Sequence, residues 1–113
     1  MDSITVHGLK ACDSCRAARK ALEAAGKDVR LRDLRADPPE RGEIAAWRAA
    51  LGPALVNRRS TTWRALDEAT RALPEAELLA AHPTLIKRPL IEAGGALYLG
   101  WSAETRRALG LAG

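Results

Sequence analysis

Apolar and polar residues alternate over Ile4-Thr5-Val6-His7-Gly8, the period of a short half-buried strand. From Asp13 the period changes. Ala18, Ala21, Leu22 and Ala25 recur at helical spacing, while Arg16, Arg19, Lys20 and Glu23 take the opposite face. Gly26 is placed to end that helix, and Val29-Arg30-Leu31-Arg32 alternates again. Strand, helix, strand is the signature of a parallel βαβ unit.

Beyond it the chain turns helical. Asp37-Pro38-Pro39-Glu40 combines a capping residue with prolines of a first turn, and Ile44, Trp47 and Leu51 form one face up to Gly52-Pro53. Asn57-Arg58-Arg59-Ser60 reads as a polar loop. Thr61 or Thr62 is placed to cap a third helix carrying Trp63, Leu66 and Leu73, and Pro74 to begin a fourth with Leu78 and Leu79 inward. Trp47 and Trp63 fall on apolar faces and read as core. Leu90-Ile91 and Leu97 to Leu99 flank Gly94-Gly95, which predicts a hairpin, and Ser102 is placed to cap a last helix ending at Gly110. The order β-α-β-α-α-α-β-β-α predicts an α/β fold with a thioredoxin-like mixed sheet. The reading is a single domain over 1–113, with a helical insertion at roughly 38–82 between its βαβ and ββα parts.

The 113 residues are 47% apolar and 28% charged, well outside the disordered range. The net charge of +4 is spread along the chain rather than blocked, so no direct nucleic-acid partner is expected. No stretch approaches the roughly 18 apolar residues of a membrane span. Met1-Asp2-Ser3-Ile4 has neither the charged nor the apolar part of a signal peptide. The expectation is a cytoplasmic protein, monomeric and without a membrane partner. Its two cysteines then sit in a reducing compartment, where close spacing points to redox chemistry or metal rather than a structural bridge.

Those cysteines are Cys12 and Cys15, between the first strand and the first helix. A thiol at a helix start meets unsatisfied backbone N–H groups and the positive end of the dipole, which favour thiolate. Lys10 and Arg16 are expected to add positive charge. Cys15 is one turn further in, on the same face, so the two sulfurs are spaced to close a disulfide in which Cys12 attacks and Cys15 resolves. Other readings fit the same spacing. The pair is half of a zinc site if His7 and His82 supply the rest, although nothing has finger spacing and no metal is assigned. Cys15 alone, or both cysteines, can also be read as inert packing. His7 and His82 otherwise read as structural.

Two arginines are candidates for the same chemistry. In a thioredoxin-like layout the strand after the insertion begins beside the thiol, so Arg88 is expected to face it and to bind an oxyanion or carboxylate. Arg59 and Lys10 are further anion-binding candidates. A solvated surface arginine is the competing reading for each arginine of so Arg-rich a chain. Pro89 reads as a rigid strand-edge residue.

Four segments resemble the ArsC/Spx family: Val6-His7-Gly8-Leu9-Lys10-Ala11-Cys12, Asn57-Arg58-Arg59-Ser60-Thr61-Thr62-Trp63, Pro83-Thr84-Leu85-Ile86-Lys87-Arg88-Pro89-Leu90 and Leu99-Gly100-Trp101-Ser102. They span nearly the whole chain in order, and within the family the chain looks most like the YffB-like subgroup. The resemblance implies a nucleophilic Cys12 and a cis bond before Pro89. It also implies a thiol-dependent oxidoreductase with no bound cofactor, using glutathione or another small thiol as co-substrate. Arg59 and Arg88 resemble two of the three arginines of glutathione-dependent arsenate reductases. Gly100-Trp101 stand where the third is expected, and Arg106 and Arg107 come too late. An arsenate-sized anion would lose one of three charge-assisted contacts, each worth about 1.5–3 kcal/mol. Spx-type regulators also resemble this chain and carry a CxxC in the same place. That resemblance implies a redox-sensing partner of the C-terminal domain of the RNA polymerase α subunit.

Overall fold

The strand read at the N-terminus becomes β1 (Ser3–Gly8), an inner strand of a four-stranded mixed sheet in the order β2-β1-β3-β4. The computed structural model describes residues 3–111, so Met1 and Asp2 of the N-terminal reading lie outside the described residues. β2 (Asp28–Asp33) runs parallel to β1, from Ser3 opposite Asp28 to Gly8 opposite Asp33. β3 (Leu90–Ala93) pairs antiparallel on the other side, with Ile4 opposite Ala93 and His7 opposite Leu90. β4 (Ala96–Leu99) completes the hairpin. Its turn is Gly94-Gly95, at φ +55° and +80°, the left-handed conformation a two-residue loop requires and glycine adopts without a steric penalty.

Contacts divide the chain into two compact units. One holds the sheet with its two helices, the other is Leu34–Lys87, which takes in the whole expected insertion and reaches past it at both ends.

In the first unit, α1 (Asp13–Ala24) crosses between the parallel strands. It ends as the periodicity indicated. Gly26 at φ +82° lets its own N–H reach the Glu23 carbonyl and the Lys27 N–H reach that of Leu22. Ile4 and Val6 of β1, Ile91 of β3, Cys15, Ala18 and Leu22 of α1, and Leu109 form one buried cluster. Here the alternation of β1 meets the helical period of α1, each supplying one apolar face. The last helix, α6 (Ala103–Ala108), is capped by Ser102, whose Oγ accepts the Thr105 N–H at 3.2 Å.

In the second unit, α2 (Arg41–Leu51) packs on α5 (Glu75–Ala81), burying Ile44, Trp47, Leu78 and Leu79. α2 starts later than the Asp37-Pro38 signal suggested, with Glu40 as its flanking residue. The third helix is two helices. α3 (Thr61–Ala65) is capped by Ser60 rather than by Thr61 or Thr62, with Ser60 Oγ 3.1 Å from the Trp63 N–H. The chain turns extended at Leu66, and Asp67 caps α4 (Glu68–Arg71) by accepting the Thr70 N–H at 2.8 Å. A carboxylate cap in mid-pattern competes with the continuing helix, and Arg71 holds the corner by donating to the Trp63 and Arg64 carbonyls at 3.0 Å each. Leu73 is consequently exposed. Trp63 is only half-buried, with the Arg58 and Arg71 guanidiniums 5.4 and 5.3 Å from its ring centre, so its apolar body carries cations instead of core.

Candidate active site

β1 ends at Gly8, the chain turns through Leu9–Ala11, and α1 begins with Cys12 as its flanking residue at φ −81°, ψ 122°. The Cys12 N–H donates to the Leu9 carbonyl at 3.1 Å, and its own carbonyl accepts the first helical bond from Arg16 at 3.0 Å. The Lys10 N–H, bonded to Asp33 Oδ2 at 3.1 Å, ties this turn to the end of β2. A short strand-to-helix turn therefore presents the Cys12 sulfur at the helix start, half-buried.

Cys15 is fully buried in the sheet-side cluster, directly behind Cys12. Its sulfur lies against the backbone of Gly8, where any side chain would collide with it. Both cysteines are free thiols.

The two thiols are driven in opposite directions. Burial opposes charge on Cys12. The Ser14 hydroxyl, the Cys15 backbone N–H and thiol, and the Arg88 side chain together outweigh it and bring Cys12 from 9.0 down to about 7. For Cys15 burial dominates. The Leu9 contact offsets only part of it, and the neighbouring Cys12 adds to it, so this thiol is pushed up to about 12. Ser14 Oγ stands 3.2 Å from Cys12 Sγ.

The first unit thus brings together Cys12, Cys15 and Arg88. Arg88 directly precedes β3, and the Arg88–Pro89 peptide is cis. The positive charge expected from Lys10 and Arg16 is not among the influences on Cys12. Lys10 is exposed in the turn, and Arg16 is spent on Asp13, its Nη2 2.7 Å from Oδ1. Arg59 belongs to the second unit. There it lines a cleft of about 490 Å³ with Asn57, Arg58 and Lys87, its own N–H bonded to Asn57 Oδ1 at 3.1 Å. His7 is buried in β1, with Nε2 3.1 Å from Glu92 Oε1 and Nδ1 3.5 Å from Arg32. His82 ends α5, its N–H bonded to the Leu78 carbonyl at 2.8 Å. Sequence reasoning passed over Ser14 and Gly8. A hydroxyl inside a CxxC at a helix start, and a glycine one strand-end before it, were the available signals.

The opposed thiols make stability depend on pH. Cys12 ionises more readily folded than unfolded, so its stabilisation is complete above about pH 9 and is lost as pH falls through about 7. Cys15 is harder to ionise when folded, so its contribution is complete below about pH 9 and fades as pH rises toward 12. Under reducing conditions the stability that the two thiols add is expected to peak near pH 9. Denaturant unfolding of the wild type against Cys12→Ala and Cys15→Ala across this window measures each limb. The Cys12 limb is about 1 kcal/mol after discounting for solvent screening.

A four-stranded mixed sheet in the order β2-β1-β3-β4, with a thiol at the start of the helix that crosses between its parallel strands, defines a thioredoxin-like α/β fold. The ArsC family model matches residues 7–109, and the chain belongs to the ArsC family, whose arsenate reductase-like fold serves thiol-dependent reductases. An uncharacterised protein of Haemophilus influenzae is 36% identical over 110 residues, spanning 93% of this chain and 96% of its own length. The solved structure of a YffB protein is 35% identical with a TM-score of 0.85, covering 93% of this chain and 96% of that one. An arsenate reductase (ArsC) related protein from Brucella melitensis is 31% identical with a TM-score of 0.73, covering 94% and 92%. Among the described residues no helix is long and apolar enough to cross a membrane.

Proposed function

We propose that this protein is a thiol-dependent reductase in which Cys12 is the nucleophile and glutathione, or another small thiol, the co-substrate. One observation carries the reading: a half-exposed sulfur at a helix start, lowered to about 7, with a second, buried sulfur raised to about 12 behind it. Near neutral pH the first is substantially thiolate and the second is not. The Cys12 thiolate attacks one sulfur of an oxidised substrate. A Cys12–substrate disulfide forms, the substrate S–S bond breaks, and the departing sulfur leaves with the electron pair and takes a proton from water. A thiolate from outside then attacks the substrate-side sulfur and frees Cys12. These two steps exchange one external thiol for one substrate thiol and leave a mixed disulfide of the two. A second external thiolate attacks its external-thiol sulfur, releasing the remaining substrate thiol. Two external thiols are thereby oxidised to one disulfide for each substrate disulfide reduced. The Arg88 guanidinium is the group suited to a carboxylate of the bound thiol. Arsenate is a poor fit, since the position of the family's third arginine is held by Gly100 and Trp101.

The same pair of sulfurs supports a second reading, a redox sensor that contacts the RNA polymerase α subunit, because Cys15 lies one helical turn from Cys12 and the two thiols influence each other's charge. The two differ in whether a small thiol is captured. Incubation with glutathione disulfide followed by mass spectrometry is expected to find one glutathionyl group, on Cys12, removable by excess glutathione. Conversion to a Cys12–Cys15 disulfide with no captured thiol would overturn the external-thiol route, and binding of the RNA polymerase α C-terminal domain in only one redox state would favour the sensor.

A further inference from the structure

Cys12 has four groups acting on its charge, and they differ in kind. The Cys15 backbone N–H and the Arg88 guanidinium can only donate, and a thiol such as that of Cys15 is a weak donor. The Ser14 hydroxyl is both a donor and an acceptor and is free to rotate. It sits at the second position of α1, half-buried, with Oγ 3.2 Å from Cys12 Sγ and either atom able to donate.

We propose that Ser14 is a positioning residue for Cys12: its hydroxyl accepts the S–H of the neutral thiol and turns to donate O–H to the thiolate. The inference rests on Cys12 being the nucleophile. Hydrogen bonds to an ionised partner are roughly twice as strong as neutral ones, so the turn favours the charged state. The same donor serves the return step, when Cys12 departs as thiolate from its mixed disulfide. Ser14 touches only the sulfur's charge and performs no bond-making of its own.

A bond that stabilises the thiolate also blunts it. Removing the bond raises the pH at which Cys12 ionises but leaves a more basic, more nucleophilic sulfur. The test is the rate of first attack on 4,4′-dithiodipyridine between about pH 5 and 10, for wild type, Ser14→Ala and Ser14→Thr. For Ser14→Ala the midpoint is expected to rise by about one unit. With nucleophilicity following pKa at a slope of about 0.4–0.5, the rate falls about three- to fourfold well below the midpoint and rises about threefold on the alkaline plateau. The two profiles cross, which a variant that merely loosened the turn would not produce. Ser14→Thr, which keeps the hydroxyl, is expected to restore the wild-type midpoint. A wild-type midpoint near 9 would refute the Cys12 reading itself. A wild-type midpoint near 7 with Ser14→Ala unchanged, or lowered by one constant factor at every pH, would overturn the role of Ser14 alone.

Discussion

Cys12→Ser is expected to lose reaction with disulfides by on the order of a thousandfold or more, because a serine hydroxyl stays protonated where this thiol is half ionised. Cys15→Ser is expected to keep the first attack. Its position explains the asymmetry. Cys15 has no accessible surface and resists ionisation, so it contributes little as a nucleophile while Cys12 carries charge. Once Cys12 is tied up in a mixed disulfide, that charge is gone, and one of the influences holding Cys15 protonated goes with it. Cys15 is therefore placed to change which reductant is needed, not whether attack occurs. Its serine variant also puts a hydroxyl into apolar packing, at a cost of roughly 1–3 kcal/mol, so turnover should be compared well below its unfolding transition. Measured with an external thiol as reductant, retained turnover in Cys12→Ser would remove the reductase reading. Equal loss in both variants would make an internal disulfide obligatory.

Gly8→Ala is expected to destabilise the fold by about 1–3 kcal/mol, the usual cost of overpacking. An added methyl at Gly8 would fall on the Cys15 sulfur and lie 3.2 Å from its Cβ. Gly8 is fixed by its pairing with Asp33, and Cys15 by its place in the buried cluster with Ala18 and Leu22 of α1 and Ile4, Val6 and Ile91 of the sheet, so neither can retreat cheaply. The melting temperature should drop by roughly 5–15 °C. The double variant Gly8→Ala, Cys15→Ala removes the colliding sulfur and is expected to recover most of that loss, a coupling a double-mutant cycle reads directly. Strict additivity would mean that the strain lies elsewhere. Because Cys15 helps lower Cys12, the single variant should also react more slowly near neutral pH.

The ArsC assignment and the proposed chemistry draw on different kinds of information in the chain. The residues alone were enough for β1, α1, the parallel unit and the Gly94-Gly95 hairpin. In each case the determining forces are local: alternation for strands, a 3.6-residue period for the helix, and positive φ where glycine stands. They were also enough to put a thiol at a helix start, since Cys12 immediately precedes the periodic segment.

Tertiary structure decided the rest. The apolar spacing of Trp63, Leu66 and Leu73 suits one helix, yet Asp67 caps its own turn and Arg71 reaches back to two carbonyls, so the segment breaks. Trp63 has the hydrophobicity of a core residue, and the two guanidiniums over its ring come from Arg58 and Arg71, whose approach no periodicity encodes. Lys10 and Arg16 are near Cys12 in sequence, but Lys10 is exposed and Arg16 is paired with Asp13, while Arg88 acts on Cys12 because the antiparallel pairing of β3 with β1 brings its start beside the end of β1. Periodicity describes which face a residue occupies. Which sulfur is charged, and which glycine must stay bare, depends on distances between atoms, and only the packing of α1 on β1 and the placing of Arg88 by β3 set those.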